Sequence, residues 1–492
     1  MNYIGISAGF HDAAASVINN NGDILFAGHS ERYSKNKHDK NICEGLLHDA
    51  LQHTTSADLQ YHYYERPWLK LLRQLRSGEG FIWPTWKKLL GSTYHHMGEP
   101  KIHTHSHHLS HAAAGFQTSP YDDATVVVID AIGEFDTISI WNAWYDKNGK
   151  AQYKKLWGQK YPDSIGLFYS AMTERVGLRP LDEEYILMGM AAYGNTTHVD
   201  EMSSELVESY RDIIFRDNLH TGVSKDFLAG VDDMSIATSA QLIAEQLIMN
   251  VISKAKSLGG SKNLVYGGGV ALNCLANRLI GDYYDNIWII PNPGDAGSSL
   301  GAACLGYGKR VNWINAFLGY DISGPYPASR IIDCLVTDKI VGVASGRAEF
   351  GPRALGNRSL LADPRGEEIK DKVNEIKRRQ KFRPFAPVIM EEYADSYFDM
   401  PHGFNSSRYM QVIAECRHPD LYPAIVHHDG TSRVQTVPKD GSGIRQLLEA
   451  WYAETGCPML LNTSLNIRGE PMVNDRKDAD RFELMYNVKV IS

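Results

Sequence analysis

The stretch HTHSHHLSHAAAGF, residues 103–116, carries His103, His105, His107, His108 and His111 within three helical turns' length of chain. If the stretch is helical, as Ala112 to Ala114 suggest, His107 and His111 are four apart, project from one face and can hold one metal ion. That is half a metal site, and carboxylates must complete it. Asp130 in VVVIDAIGEF and Asp295 in PNPGDAGSS are the ones that fall in small-residue loops. A His2Asp2 set suits iron, manganese or zinc better than magnesium, which prefers an all-oxygen shell. His103, His105 and His108 stand as rival ligands. A second polar pair, His11-Asp12, follows Gly9-Phe10 at the tip of an N-terminal hairpin. It is placed for proton transfer or hydrogen bonding, with His11 as the general base.

The elements that must position these groups read as mixed α/β. YIGISAG and DILFAGHS look like two strands of a hairpin joined by the Asn-Asn-Asn-Gly turn. TVVVIDAIGEFDTISIWNAWYDKNGK repeats that logic, with a tip holding Asp130, Gly133 and Glu134, and looks like a second copy. NLVYGGGVALNCLANRLI and IWIIPNPGDAGSSLGAACLGYG each read as strand, loop and helix. Two hairpins followed by two such units suggest a nucleotide site between related halves, because small residues let backbone amides approach phosphate. Gly133, Gly267, Gly268, Gly269, Asn273 and Gly297 are the candidate nucleotide contacts. The triple glycine does not fit the P-loop or the Rossmann fingerprint. DISGPYPAS, residues 321–329, is rich in turn formers and is the linker candidate. It divides the chain into domains 1–325 and 326–492.

Composition bounds the function classes. With 492 residues and 43% hydrophobic content, the chain is long enough for two or three cores. A net charge of -8 gives no global attraction to nucleic acid. Six cysteines without CxxC spacing argue against structural zinc and disulfide stapling. No apolar run approaches the roughly eighteen residues of a membrane span, and the N-terminus has no signal pattern. The expectation is a cytoplasmic protein with no membrane partner.

HDAAAS, HHLSHAA, SIGLFYSAMT, MGMAAYG, GGGVALNCLAN, PNPGDAGSSLGAA, EFGPRALGNRSLLADPR, KFRPFAPVIM, HDGTSRVQTV and PMLLNTSLNIRGEP occur in this order from residue 4 to about 473. Together they resemble the NodU/CmcH family of O-carbamoyltransferases. The resemblance implies an actin/Hsp70-type (Kae1-like) ATPase fold, residues 1–325, followed by a YrdC-like α/β domain, residues 326–492. The second would condense carbamoyl phosphate with ATP into carbamoyl adenylate, and the first would pass the carbamoyl group to an acceptor hydroxyl. By the same resemblance His107, His111, Asp130 and Asp295 are the metal ligands. Expected cofactors are ATP, Mg2+ and one transition metal, Fe2+ first, with Mn2+ or Zn2+ as alternatives. Two positions depart from the family pattern: Ala131 stands where Gly is usual, and Ile186 where Lys is usual.

A small dianion such as carbamoyl phosphate needs guanidinium forks and backbone amides. Arg347, Arg353, Arg383 and Arg433, with Asn462 and Ser464, are the candidate carbamoyl-phosphate ligands. Lys37 in ERYSKNKHD is a candidate phosphate contact. The competing readings are a threonylcarbamoyl-type tRNA modification enzyme and an Hsp70-like or sugar-kinase-like ATPase. A plain ATPase has no use for the C-terminal arginines, and the tRNA system normally divides the two domains between chains. The acceptor is a small natural product or sugar, or a hydroxymethyl group on a DNA base. The nucleic-acid option rests on ERPWLKLLRQLRSGEGFIWPTWKKLL, which interleaves Trp68, Phe81, Trp83 and Trp86 with Arg66, Lys70, Arg73, Arg76, Lys87 and Lys88. Oligomeric state is open, a homodimer among the options.

Overall fold

The computed structural model describes residues 1–78 and 83–492. It divides into two units, Met1–Ala27 with Lys40–Trp313, and Gly28–Asp39 with Ile314–Ser492. Among the described residues no helix is long and apolar enough to cross a membrane.

The first unit is built twice on one plan. Strand β1 (Asn2–Ser7) pairs antiparallel with β2 (Ala14–Asn19) and parallel with β4 (Leu59–Tyr63). β4 pairs parallel with β5 (Ile102–Thr104), β3 (Ile24–His29) lies beside β2, and the order is 3-2-1-4-5. The second sheet takes β6 (Asp123–Gly133) as its centre, antiparallel to β7 (Asp136–Tyr145), which pairs antiparallel with β8 (Ala151–Lys160). On its other side β6 runs parallel to Asn263–Gly267, which runs parallel to Asn286–Ile289. Read from its own first strand, this sheet has the same order and the same directions. The duplication is the actin/Hsp70-type architecture expected from the sequence. Central strands covered on both faces lose alternation and become continuous apolar runs. VVVI in β6 is such a run, and all four residues are fully buried.

One reading of the N-terminus is corrected. The Asn-Asn-Asn-Gly turn joins β2 to β3, whereas YIGISAG is followed by a strand of its own, AASVIN, that the two-strand reading passed over. All six residues of β2 are buried, so it shows no alternation, and its alanines carry little strand signal. His11-Asp12 therefore lies in the turn between β1 and β2.

The second unit centres on a six-stranded mixed sheet ordered Gln435–Val437, Ala386–Met390, Met459–Ser464, Arg358–Ala362, Ile340–Ala344, Val490–Ile491. Helices Ala328–Asp338 and Gly443–Thr455 pack against each other, and Trp451 is fully buried in the apolar cluster beneath. The N-terminal segment Gly28–Asp39 joins this unit through Arg32, whose buried guanidinium donates to the carbonyls of Glu349 (2.5 Å) and Gly351 (2.8 Å).

A candidate metal centre and a cationic sheet end

The four residues singled out as ligands converge in the first unit. His107–Thr118 is a helix, so His107 and His111 share a face, and their Nε2 atoms are 3.1 Å apart. Asp295 opens the helix Asp295–Tyr307, whose small residues, AGSSLGAA, allow close backbone approach. A Cβ on Gly301 would sit 1.8 Å from the Ser110 carbonyl oxygen, and one on Gly5 would sit 1.8 Å from that of Ser299. Strand β1 and the two helices thus pack backbone to backbone, which delivers Asp295 to the first turn of the histidine helix.

Asp130 arrives from the end of the apolar run in β6. Its Oδ1 accepts from the amides of Ala131 (2.9 Å) and Gly269 (3.2 Å), which aims Oδ2 at the histidines. Gly268 is required at the neighbouring loop: its φ is +87°, and a Cβ would meet the Ile129 carbonyl oxygen at 2.2 Å. Its amide donates to the Pro293 carbonyl (3.0 Å), tying the triple-glycine loop to the loop that carries Asp295.

His107 Nε2 is 3.0 Å from Asp130 Oδ2 and 3.3 Å from Asp295 Oδ1; His111 Nε2 is 3.3 and 3.4 Å from the same oxygens. A first-row ion with bonds of about 2.0–2.1 Å has ligands roughly 3.0–3.4 Å apart along the edges of its polyhedron. All four residues are buried. Burial alone would raise the Asp130 carboxyl, but hydrogen bonding to His107 and His111 holds it well below the usual range. Two ionised carboxylates packed into a buried pocket need a cation. The donor set fits a transition metal.

Glu65 was not evident from the sequence. Its carboxylate, 2% exposed, stands 3.8 Å from His107 Nδ1 and pairs with Lys70 at 2.8 Å. His107 Nδ1 is itself buried without a hydrogen bond. A carboxylate behind a ligating imidazole fixes its tautomer and raises its basicity. Glu65→Gln is therefore expected to weaken metal binding by about 10–100-fold. Competition against a chelator of known affinity measures this, and an unchanged affinity would remove Glu65 from the site.

His11 lies at the edge of the cluster, its Nδ1 2.9 Å from Asp12 Oδ2 and its Nε2 3.8 Å from Asp295 Oδ2. Asp12 adopts a left-handed φ of 52°, and Glu134, in the corresponding turn between β6 and β7, one of 58°. Both turns are held in a conformation unfavourable to side chains, a pattern that clusters at functional sites. Glu134 receives a forked ion pair from Arg66, Nε to Oε1 at 3.1 Å and Nη2 to Oε2 at 2.6 Å. His11, Lys70, Arg73 and Glu134 line a pocket with His107, Asp130 and Asp295.

The helix Pro67–Ser77 thus turns Lys70 and Arg73 inward while Trp68, Leu72 and Leu75 stay about half exposed. Trp68 and Trp83 meet edge to face at 4.7 Å, and Trp86 packs on Tyr63. Phe81 lies outside the described residues. Ala131 lines the same pocket, and its backbone packs under Gly166, where a Cβ would approach within 2.7 Å. Ile186 is a core residue, 1% exposed.

Several candidate nucleotide contacts have local work in the fold. A Cβ on Gly133 would meet the His107 ring at 2.3 Å, and one on Gly297 the Asn292 carbonyl oxygen at 1.8 Å. The Asn273 side chain caps the short helix after it through the Ala276 amide and bonds Gln241 at both its amide atoms.

In the second unit the sheet gathers the C-terminal candidates at one end. Asn462 pairs with Leu361 and Ala386, Ser464 with Ser359, and Gln435 with Val388. The strand directions then place Arg383, Arg433, Asn462, Ser464 and the loop carrying Arg353 at that end. Glu349 organises the loop: its Oε1 accepts from the amides of Leu355, Asn357 and Arg358. Asn462 Oδ1 is buried without a partner. Arg347 directs guanidinium donors to the carbonyls of Leu318 and Gly319. Lys37 is half-buried in the Gly28–Asp39 segment.

Lys377, 4% exposed, is a further residue at this end: its Nζ donates to Ser464 Oγ (3.2 Å), the Asn466 carbonyl (2.8 Å) and Asn466 Oδ1 (3.0 Å). Burial, then Arg379 and Arg383, push its ammonium well below the usual range. A buried cation in neutral company beside two arginines suits an anionic ligand.

Two family descriptions match the chain, Carbamoyltransferase N-terminus over residues 64–304 and Carbamoyltransferase C-terminus over residues 332–491. An uncharacterized protein of Synechocystis sp. is 31% identical over 97% of this chain and 93% of its own length. Nodulation protein NolNO of Sinorhizobium fredii is 29% identical over 95% of this chain and 76% of its own. The 3'-hydroxymethylcephem-O-carbamoyltransferase of Amycolatopsis lactamdurans is 29% identical over 77% of each. With both halves matched in order, the chain is an enzyme of the carbamoyltransferase family, the NodU/CmcH group that its ordered motifs resemble.

Proposed function

We propose that the enzyme forms carbamoyl adenylate from carbamoyl phosphate and ATP and transfers the carbamoyl group to an acceptor hydroxyl. The observation that carries this is the pairing, in one chain, of a His2Asp2 cluster beside His11-Asp12 with a cationic sheet end in the other unit. Activation needs anion-binding groups, and transfer needs a base beside an electrophile.

In activation, water releases phosphate from carbamoyl phosphate to leave carbamate. The carbamate oxygen attacks the α-phosphorus of ATP, bound with Mg2+, and pyrophosphate departs. Arg353, Arg383, Arg433 and Lys377 hold the anionic substrate, and Ser464 and Asn466 keep the Lys377 ammonium in place. In transfer, the acceptor hydroxyl attacks the carbamoyl carbon and AMP leaves with the bonding pair. The hydroxyl proton passes to His11 Nε2, since Nδ1 is engaged by Asp12, which orients the ring. His107, His111, Asp130 and Asp295 would hold a transition metal, which when bound polarises the carbonyl or steadies the phosphate.

The test is an assay of the purified enzyme with ATP, with and without carbamoyl phosphate. AMP and pyrophosphate are expected when both are supplied. ADP released without carbamoyl phosphate would replace this reading with a simple ATPase.

For the acceptor, the relative that acts on a hydroxymethyl group of a cephem favours a small hydroxylated molecule. A polymer is favoured by the exposed Trp68 and Trp83 pair with exposed Lys87 and Lys88. Titration with hydroxymethylated and plain oligonucleotides over a range of salt separates the two. No binding at low salt, with turnover of a small alcohol, excludes the polymer.

A further inference from the structure

Two of the groups assigned to transfer have apolar neighbours in the chain. Phe10 precedes His11, and Ala131-Ile132 follow Asp130. These three apolar side chains, with Leu181, line the pocket that also holds His11, Asp130 and Asp295. Phe10 and Leu181 are 40% and 41% exposed and form its mouth, while Ala131 and Ile132 are half-buried.

Both mouth residues are held by the fold. The Phe10 and His11 ring centroids are 4.8 Å apart, and Lys70 Nζ sits over the Phe10 ring, 5.0 Å from its centroid. Lys70 is itself fixed by Glu65 at 2.8 Å, so the cation steadies the ring beside the base. Leu181 adopts a left-handed φ of 61°, which is costly for a leucine. Its amide donates to Glu184 Oε1 at 2.5 Å, and the same oxygen accepts from Ser170 Oγ at 2.6 Å, which pins the turn. A strained turn that displays an apolar side chain at a pocket mouth has the character of a ligand contact. The charged lining, by contrast, is already engaged. Glu65 pairs with Lys70, Glu134 pairs with Arg66, and Asp130 and Asp295 face the two histidines.

Resting on His11 as the base for the acceptor hydroxyl, we propose that Phe10, Ala131, Ile132 and Leu181 form the acceptor subsite, and that the acceptor is a primary alcohol carried on a flat, uncharged, unsaturated ring. A hydroxyl within reach of His11 Nε2 has its carbon beside Phe10, because the two rings are adjacent. A planar ring laid on the half-exposed phenyl buries apolar area and gains an aromatic contact. One methylene between ring and oxygen lets the ring rest there while the oxygen turns to His11. A sugar would instead bring several hydroxyls against apolar walls and strip their water without replacing it. An ammonium would find each carboxylate of the lining already facing a cation or an imidazole. In the transfer, the alcohol oxygen forms its bond to the carbamoyl carbon, the bond from that carbon to the phosphate oxygen breaks, AMP keeps the pair, and the proton goes to His11 Nε2. The same ring chemistry is offered by a free alcohol and by a hydroxymethylated base turned out of a nucleic acid.

The experiment supplies the intact enzyme with ATP, carbamoyl phosphate and one alcohol at a time, and measures the carbamate ester by mass spectrometry beside released AMP and pyrophosphate. Benzyl alcohol, furfuryl alcohol and hydroxymethylcytosine, as the nucleoside and within an oligonucleotide, are compared with glucose and an aminoglycoside. A ring alcohol is expected to be carbamoylated, and glucose and the aminoglycoside are not. Turnover of benzyl or furfuryl alcohol supports a free acceptor, and turnover of the oligonucleotide alone supports a displaced base. Phe10→Ala should raise KM for the accepted ring alcohol by roughly tenfold while kcat changes much less, and Phe10→Tyr, which keeps the ring, should restore it. Leu181→Asn puts a residue tolerant of the left-handed turn in place of the apolar one, so this variant should melt no lower than the wild type and still raise KM. AMP and pyrophosphate formed without transfer to any ring alcohol, or a KM unchanged by both Phe10→Ala and Leu181→Asn, overturns the subsite and leaves the activation chemistry standing. Absence of AMP and pyrophosphate with every alcohol overturns both.

Discussion

Asp295→Ala is expected to remove the bound transition metal and to lower carbamoyl transfer by about a thousandfold or more, while pyrophosphate release from ATP and carbamoyl phosphate persists. The effect is large because Asp295 touches each part of the transfer site. One oxygen lies 3.3 and 3.4 Å from the two histidines, and the other lies 3.8 Å from His11. Removing the carboxylate deletes a ligand and, at the same time, a charge that favours protonation of His107 and His11. A metal that polarises the reacting carbonyl supplies several kcal/mol, and each ~1.4 kcal/mol is tenfold in rate. His107→Ala should behave alike, since His107 Nε2 is the atom nearest to three of its neighbours. Elemental analysis of the purified variants checks the first half of the expectation, and transfer from supplied carbamoyl adenylate checks the second. Full metal content in either variant would show that the four residues do not form the centre.

The convergence of His107, His111, Asp130 and Asp295 was legible because its signal is local. Two histidines four apart beside an alanine run imply one helical face, and aspartates at the ends of apolar runs imply loops where backbones meet. The duplication was legible for the same reason, since β6 and β7 carry their own turn and tip. Glu65 was not, because nothing near it in sequence marks it. It reaches His107 only because β4 runs parallel beside β1 and ends just before Tyr64. Lys377 was hidden in KRRQKFR, where only the fold decides which cation turns inward. Arg347 shows the converse, a motif arginine whose donors close a strand pairing. The N-terminal segment in the second unit was equally out of reach. Its anchor, Arg32, lies in a charged stretch that reads as surface, yet its partners are more than three hundred residues away.

Lys377→Met and Arg353→Ala should each slow formation of carbamoyl adenylate by roughly 10–100-fold, because a charge-assisted hydrogen bond to an anion contributes about 1.5–3 kcal/mol. Transfer from supplied carbamoyl adenylate should stay near the wild-type rate. The two variants act differently on the free protein, which separates loss of a contact from loss of the fold. Arg353 sits in a loop held by the Glu349 carboxylate, whose three amide partners belong to other residues, so its removal leaves the loop anchored. Lys377 is buried, and its Nζ bonds knit the helix end at residue 377 to Ser464 and Asn466. Methionine keeps the length and apolar stem but removes the ammonium's hydrogen bonds to Ser464 and the Asn466 carbonyl, leaving Asn466 Oδ1 only the Ser464 hydroxyl, so the Lys377 variant should also melt at a lower temperature. Carbamoyl phosphate should raise the melting temperature of the wild type, by linkage to the native state, and this rise should shrink in both variants. For Lys377 the ligand also favours the protonated amine that burial disfavours, so the rise should be greater at pH 6 than at pH 9. Undiminished pyrophosphate release in both variants, with an unchanged response to carbamoyl phosphate, would move activation away from this end of the sheet.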